Sequence, residues 1–254
     1  MSNDLSLRSS AALYGKAIFT TIAIRDDVPF LLEKHWRRLS ADAETLGIDL
    51  TLHSESFVVD ALAESIKEDQ IINGRARITF FDERPSAIWL GESISSTSLS
   101  IITGGVRDVP DNFKLTVSPY PINSLSPLAG VKSCNYLENL MAAEEAKMCG
   151  FHEAIRVNER NEVTSAAMAN VFWLKNGELF TPSLATGCLA GTTREFVLEN
   201  LDCREVESGI EELNSADAIY LTSAGLGIVA VAEFEKRKLP NPPHQITRLL
   251  TNNY

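Results

Sequence analysis

Leu128–Ala142, with the sequence LAGVKSCNYLENLMA, places a lysine between a proline-rich segment and a predicted helix. The preceding residues 118–130 (SPYPINSLSPLAG) hold three prolines and no regular period, which is typical of a linker or an ordered loop over a cleft. A helix is predicted at Asn135–Met148. A lysine at such a junction can project into a cleft between domains, where a desolvated amine is a good nucleophile. Lys132 is therefore a candidate for covalent catalysis, although most lysines are solvated surface groups.

The junction divides the chain into two predicted domains of mixed α and β structure, 1–117 and 131–254, joined by the loop 118–130. In the first domain, β-branched runs and an apolar period of three and four predict strands at Ala17–Arg25 and Val28–Leu32, helices at Glu33–Leu46 and Glu55–Lys67, and then the strand-like runs ARITFF, AIWL, LSIIT and KLTV between residues 76 and 117.

The second domain is predicted to alternate short strands with helices, and Asn176-Gly177 indicates a tight hairpin. Its predicted elements are strands at Ala154–Val157, Glu162–Thr164, Val171–Leu174, Ala218–Thr222 and Ile228–Val231, and a helix at Thr193–Leu201.

The composition argues against several function classes. The chain has 254 residues, of which 44% are hydrophobic, enough for two modest domains with real cores. Its 23 Lys and Arg against 34 Asp and Glu give a net charge of −11, and that field would repel nucleic acids and anionic membranes. The first residues are polar and no apolar run approaches the length of a bilayer span, so we expect a cytoplasmic protein.

The common catalytic and binding motifs are missing from the sequence. The four cysteines and four histidines are scattered, which fits reduced thiols better than a disulfide framework or a zinc site. There is no G-x-S-x-G elbow, no phosphate loop of the G-x-x-x-x-G-K type and no dinucleotide G-x-G-x-x-G. We therefore expect no metal, and serine-hydrolase and nucleotide functions lose support.

Gly191-Thr192-Thr193-Arg194-Glu195 opens a predicted helix in the second domain. Thr192 stands three residues before Glu195, which is the pattern of a capping box. The backbone N–H groups and hydroxyls at such a terminus can also hold a phosphate group. The pattern by itself does not decide between the two, because capped helices without ligands are common.

Three stretches together resemble the class IV aminotransferases, the group of D-amino-acid and branched-chain aminotransferases that also contains aminodeoxychorismate lyase. They are YGKAIFTT with HWRRL, LAGVKSCNYLENLMA, and EVTSAAMANVFWLKNGELFTPSLATGCLAGTTRE, and the match extends over Tyr14–Val231. The resemblance implies a two-domain, D-amino-acid aminotransferase-like architecture of the fold-type IV pyridoxal-phosphate enzymes. It also implies a homodimer.

The resemblance assigns roles to individual residues. Pyridoxal 5′-phosphate would be held as a Schiff base on Lys132, and Tyr136 would hydrogen-bond the phenolic oxygen of the cofactor. Arg38 and the amides of Thr192 and Thr193 would hold its phosphate, a role that suits a guanidinium and a helix N-terminus. Read from the residues alone, Arg38 could equally cover the rim of its helix with its apolar stem.

The sequence departs from the family pattern at the position that faces the pyridine nitrogen. Most members have a glutamate there and this chain has Ser165, so the cofactor would be a weaker electron sink. Glu162 could substitute if the register slipped, although we expect it to cap the turn after Asn161. Ala224 replaces a hydroxyl residue that often supports the phosphate in the family.

Within the family, SPLAGVKSCNYLEN is most similar to aminodeoxychorismate lyase. The implied reaction eliminates pyruvate from 4-amino-4-deoxychorismate and gives 4-aminobenzoate, a folate precursor. Because aromatisation drives this elimination, Ser165 would cost it less than it would cost a reversible transamination. The alternatives are an aminotransferase for a branched-chain or D-amino acid, and a non-catalytic pyridoxal-phosphate-binding protein.

The implied substrate is a small molecule with two carboxylates. Thr21 is expected by similarity to assist near the reacting amine, although it could be a plain β-former in its strand. The candidates for substrate binding are Tyr14, Lys16, Arg77 and Arg84. A further arginine that many relatives have after the ITFF strand is replaced by Asp82.

Overall fold

The computed structural model describes residues 6–84 and 96–250, and the predicted strand AIWL lies outside these ranges. The chain forms two compact units. Unit 1 consists of Met1–Arg107 and Val131–Asn135, and unit 2 of Asp108–Gly130 and Tyr136–Tyr254. Both combine helices with β-sheet, so the expected mixed α and β class is confirmed.

Unit 1 contains a four-stranded antiparallel sheet in the order β2-β1-β3-β4. Its elements are α1 (Ser10–Tyr14), β1 (Ala17–Arg25), β2 (Val28–Pro29), α2 (Leu32–Leu46), α3 (Glu55–Glu68), β3 (Gly74–Asp82) and β4 (Thr97–Gly105). Alternate residues of β1 point to opposite faces of the sheet. Ile18, Ile22 and Ile24 are buried in a core with α2 and α3, which leaves Phe19 and Thr21 on the other face.

Unit 2 contains two five-stranded sheets, in the orders β14-β13-β5-β6-β7 and β10-β9-β8-β11-β12. Their residues pack into one core around the buried Trp173 and Phe234. The elements are β5 (Lys114–Val117), α4 (Leu137–Met148), β6 (Glu153–Val157), β7 (Val163–Ala166), β8 (Asn170–Lys175), β9 (Glu178–Pro182), α5 (Thr192–Asn200), β10 (Arg204–Val206), α6 (Glu211–Asn214), β11 (Ala218–Ser223), β12 (Gly227–Ala230), β13 (Glu233–Phe234) and β14 (Arg237–Lys238).

The division between the units differs from the predicted boundaries at two places. β5, expected in the first domain, pairs in parallel with β6 and belongs to unit 2. The segment Val131–Asn135, expected in the second domain, pairs with the start of β1: Phe19 N donates to Lys132 O at 3.0 Å, and Cys134 N donates to Ala17 O at 2.8 Å. Lys132 is therefore part of unit 1.

The tight turns explain where several strands end. Asn176 and Gly177 both have positive φ angles, 53° and 81°, which confirms the predicted hairpin between β8 and β9. β2 is shorter than predicted because Leu31, with φ 57°, already forms the N-terminal boundary of α2.

Across the described ranges, no helix combines the length and apolarity needed to span a bilayer.

Candidate active site

Lys132 is half-buried on the face of the unit 1 sheet that carries Phe19. Its Nζ lies 4.4 Å from the centroid of the Phe19 ring, and the guanidinium carbon of Arg77 lies 3.5 Å from the same centroid. The main-chain N–H of Lys132 donates to Asp42 Oδ2 at 3.2 Å. The Lys132 amine and the Arg77 guanidinium thus lie against the same Phe19 ring, and Asp42 of α2 binds the main-chain N–H of Lys132.

These surroundings favour the neutral form of the amine. Burial, followed by the nearby charges of Arg38 and Arg77, lowers the pKa of Lys132 to about 7, although Asp42 acts in the opposite direction. An ordinary lysine titrates near 10.4 and is almost fully charged at neutral pH. Lys132 has a large unprotonated fraction at pH 7, which is the form that attacks a carbonyl carbon.

Arg38 lies on α2 and reaches the buried Thr20 of β1. Arg38 Nη2 donates to Thr20 Oγ1 at 2.8 Å, and Oγ1 lies 2.6 Å from His35 Nδ1. Burial, followed by the charges of Arg38 and Lys132, lowers the pKa of His35 to about 3, so the imidazole is neutral. The hydroxyl can then accept from Arg38 and donate to His35 Nδ1.

Thr21 lies directly opposite Arg77 in the pairing of β1 with β3. Directly opposed residues point to the same face of a sheet, so Thr21, Arg77 and Phe19 share one face. Arg77 also donates to Thr79 Oγ1 at 3.3 Å and contacts Cys134 Sγ at 3.8 Å. The sequence-predicted residues Thr21, Arg77 and Lys132 are therefore brought together in unit 1.

Lys16 and Arg84 lie around one buried carboxylate instead. Lys16 Nζ is 3.0 Å from Asp82 Oδ2, and Arg84 Nε is 2.9 Å from both carboxylate oxygens. Burial raises the pKa of Asp82, but the hydrogen bonds from Arg84 and Lys16 outweigh it and hold that pKa below its usual value. Tyr14 lies at the end of α1 with half of its surface exposed. Within the described part of the chain, Arg77 has no carboxylate partner in an ion pair, unlike Lys16 and Arg84.

In unit 2, α5 begins at Thr192, with both Thr192 and Thr193 buried in its first turn. The capping-box prediction is wrong, because Gly191 is the N-cap residue and Thr192 is already helical. A Cβ at Gly191 would lie 2.0 Å from Asn170 Oδ1, so a larger residue here would displace the side chain of Asn170. With no side chain at the N-cap position, this helix start suits an anion.

Thr222 is a further polar residue at this end of unit 2, and the sequence interpretation missed it. It lies opposite Asn170 in the pairing of β11 with β8 and is 1% exposed. Its Oγ1 is buried without a hydrogen-bond partner among the described residues. A buried hydroxyl without a partner is unfavourable, which points to a bound group. A threonine in a strand gives no sequence signal, because it is an ordinary β-former.

Tyr136 and Ser165 also belong to unit 2. Tyr136 is the N-cap residue of α4, and Ser165 is buried on β7 directly opposite Arg156 on β6. The guanidinium of Arg156, which is 2% exposed, donates to the carbonyls of Tyr120 and Pro121 and to two residues in the first turn of α4, Glu138 and Asn139.

The carboxylate of Glu162 forms hydrogen bonds with residues of the turn at Asn161, as expected. It accepts from Asn158 Nδ2 at 2.7 Å and from Arg160 Nε at 3.0 Å. β7 extends past the predicted strand Glu162–Thr164 and includes Ser165, which pairs with Arg156 next to a shift of register between Arg156 and Val157.

The chain is similar in sequence to known proteins over most of its length. A family model described as amino-transferase class IV matches residues 17–234. A putative branched-chain-amino-acid aminotransferase of Methanocaldococcus jannaschii is 27% identical over 98% of this chain and 90% of its own length. An aminodeoxychorismate lyase of Bacillus subtilis is 27% identical over 88% of this chain and 79% of its own length.

A solved structure extends the agreement to the fold. The crystal structure of an aminotransferase from Brucella abortus, bound to the co-factor PLP, is 25% identical and covers 99% of this chain and 92% of its own with a TM-score of 0.87. The expected architecture is thus confirmed. Because the family model spans most of the sequence, the chain belongs to the class IV aminotransferase family, a family of enzymes.

Proposed function

We propose that this chain is a pyridoxal-phosphate-dependent lyase that eliminates pyruvate from 4-amino-4-deoxychorismate to give 4-aminobenzoate, with Lys132 as the residue that binds the cofactor covalently. The observation that carries the proposal is the half-buried amine of Lys132, whose pKa is lowered to about 7. The likeness to the Bacillus subtilis aminodeoxychorismate lyase supports the choice of reaction.

The donor groups of the chain suit this cofactor. An aldehyde needs an unprotonated amine, which Lys132 provides. A phosphate dianion needs cations and N–H or O–H donors: Arg38 is such a group in unit 1, and the N-terminus of α5 and the hydroxyl of Thr222 are such groups in unit 2. We infer that Thr222 compensates for the missing hydroxyl at Ala224.

When bound, pyridoxal phosphate supplies an aldehyde that condenses with an amine with loss of water, and a ring that accepts electron density from the substrate. The Lys132 amine, with its pKa near neutral pH, would also carry protons to and from the substrate. Thr21, on the same sheet face, would hydrogen-bond near that amine. Tyr136 would orient the ring through its phenol, and Ser165 would share a hydrogen bond with the ring nitrogen.

Arg77 is the best placed of the proposed carboxylate-binding residues. Lys16 and Arg84 both contact the carboxylate of Asp82, whereas Arg77 lies on the face that carries Lys132 and contacts no carboxylate among the described residues. A guanidinium binds a carboxylate in a bidentate geometry. We therefore propose that Arg77 binds one substrate carboxylate and that Lys16 and Arg84 have a structural role.

The first test is a visible spectrum of the protein with added pyridoxal phosphate, followed by borohydride reduction and peptide mapping. We expect an absorption band from the lysine-bound cofactor and a label on Lys132, and neither in Lys132→Ala. Pyruvate release from 4-amino-4-deoxychorismate then tests the reaction. A label on another lysine would refute the site, and a labelled Lys132 without pyruvate release would refute the lyase.

The second candidate is an aminotransferase, favoured by the Methanocaldococcus jannaschii relative. It predicts that a branched-chain or D-amino acid converts the bound cofactor to its amine form, with release of a 2-oxo acid. A cofactor that binds without either reaction would favour the non-catalytic alternative. By family resemblance we further propose a homodimer, which sedimentation of the purified protein would test.

A further inference from the structure

Asp42 is a buried carboxylate beside the proposed cofactor lysine. It lies on α2 one helical turn after Arg38 and is 6% exposed. Its Oδ2 accepts the main-chain N–H of Lys132 at 3.2 Å, across ninety residues of sequence. Burial raises the pKa of Asp42, whereas the hydrogen bond from Lys132 and the charge of Arg38 oppose that change. A carboxylate is rarely buried unless it is paired, and Arg38 and Lys132 are the cations beside Asp42.

The titratable groups around the Lys132 amine lie on three elements. α2 contributes Arg38 and Asp42, β3 contributes Arg77, and the segment of Lys132 itself contributes the thiol of Cys134. The imidazole of His35, also on α2, is neutral at pH 7. Two fixed positive charges therefore act against the ammonium form, and the carboxylate of Asp42 acts for it.

We propose that Asp42 is a positioning residue for Lys132: its hydrogen bond holds the lysine backbone against α2, and its negative charge offsets part of the repulsion from Arg38 and Arg77. The charge makes the amine more basic than burial and the two arginines alone would leave it, and a group whose pKa lies near the working pH carries protons most effectively. The positioning of the lysine for cofactor attachment rests on the proposed function of Lys132, whereas the effect of the Asp42 charge on the amine concerns only the protein.

Two substitutions separate the hydrogen bond from the charge. Asp42→Asn keeps an oxygen that can accept from the Lys132 N–H and removes the charge. Asp42→Ala removes both. Glu44→Gln is the matched control, because Glu44 is an exposed residue of the same helix and loses the same charge. Far-ultraviolet circular dichroism establishes that each variant folds, and Asp42→Asn alone tests the charge if the alanine variant does not.

The measurement is trace acetylation of the cofactor-free protein at a series of pH values, with the Lys132 peptide quantified by mass spectrometry. We expect the apparent pKa of Lys132 to fall by about 1 unit in Asp42→Asn, since an opposite charge at close range shifts a pKa by this order. Glu44→Gln should leave it unchanged. An unchanged pKa in Asp42→Asn, or an equal fall in Glu44→Gln, would overturn the charge role.

The hydrogen bond is tested by the rate at which added pyridoxal phosphate becomes attached to Lys132. Asp42→Ala should attach it several-fold more slowly than Asp42→Asn, because only the alanine variant frees the lysine backbone. Equal rates would overturn the positioning role. If the parent protein attaches no cofactor at Lys132, the proposed function and the positioning role both fail, while the acetylation series still decides the charge role.

Discussion

Arg77, Lys16 and Arg84 were equal candidates for substrate carboxylates in the sequence, and their neighbours distinguish them. Asp82 holds Lys16 and Arg84 through hydrogen bonds and ion pairs, so binding a substrate carboxylate there would mean breaking those contacts. Arg77 interacts with a ring, a hydroxyl and a thiol, none of which carries a full negative charge in its usual form. A cation in such surroundings retains most of its affinity for an anion.

Replacement of Arg77 by Gln should therefore raise the KM for the substrate about tenfold or more, because a hydrogen bond to a charged group contributes roughly 1.5–3 kcal/mol. Arg75→Gln is the control: Arg75 lies two residues earlier on β3, on the same face of the strand. Steady-state pyruvate release measures both variants. A KM that rises equally in the two, or in neither, would remove Arg77 from the substrate site.

His35 gives the cofactor-free protein a pH-dependent stability. Its pKa is lowered from 6.5 to about 3 in the folded chain, so below pH 6.5 the unfolded chain takes up a proton that the folded chain does not. The free energy of unfolding contributed by this residue falls as the pH falls through that window, by at most about 1.4 kcal/mol per pH unit.

Urea unfolding of the parent protein and of His35→Gln between pH 4.5 and 6.5 measures this contribution. We expect a shallower decline of the unfolding free energy in the variant, since glutamine does not titrate. An equally steep decline in both proteins would assign the acid sensitivity to other groups.

Two hairpin turns with the same backbone conformation differ in how well their residues suit it. The turn between β1 and β2 has Asp26 and Asp27 with φ 48° and 61°, and the turn between β8 and β9 has Asn176 and Gly177. Turns with two positive φ angles favour Asn-Gly or Asp-Gly, because a Cβ is strained in the left-handed region. The turn between β8 and β9 has the preferred glycine at Gly177, whereas the turn between β1 and β2 has Asp27 at the corresponding position.

We expect Asp27→Gly to raise the free energy of unfolding by about 0.5–1 kcal/mol, and Gly177→Ala to lower it by about 1 kcal/mol. The hydrogen bond from the Asp27 N–H to Ile72 O is retained by glycine. Chemical denaturation measures both effects, and Asp27→Ala controls for the loss of the carboxylate. A gain in Asp27→Ala as large as that in Asp27→Gly would show that the charge, not the φ angle, is the cause.

Elements with a strong local period were predictable from the sequence. β1 has the predicted bounds, and α2 begins one residue before the predicted start, because both carry alternating or helical apolar patterns. The start of α5 was not predictable in detail, since the N-cap residue Gly191 lies against the side chain of Asn170, which is distant in sequence.

At the scale of the whole molecule, local patterns do not determine which strands pair. KLTV was correctly predicted as a strand, but its partner β6 begins at Glu153, beyond a loop and a helix. The contact of Asp42 with Lys132 likewise joins residues far apart in sequence, so no local pattern indicates it. The candidate reactive residues were predicted from the family resemblance over Tyr14–Val231, whereas their supporting residues depend on this chain's own packing.

The separation of Lys132 from the rest of unit 1 along the chain has a consequence for recombination between related genes. A crossover near Arg107 would join the β1 and α2 of one parent to the lysine segment of the other. The two bonds that join Val131–Asn135 to β1 are between main-chain atoms, so a foreign segment could make both. The side chain at position 42 is inherited separately from the lysine that it contacts. In such a hybrid we expect the pKa of the lysine to depend in part on the parent that supplied α2.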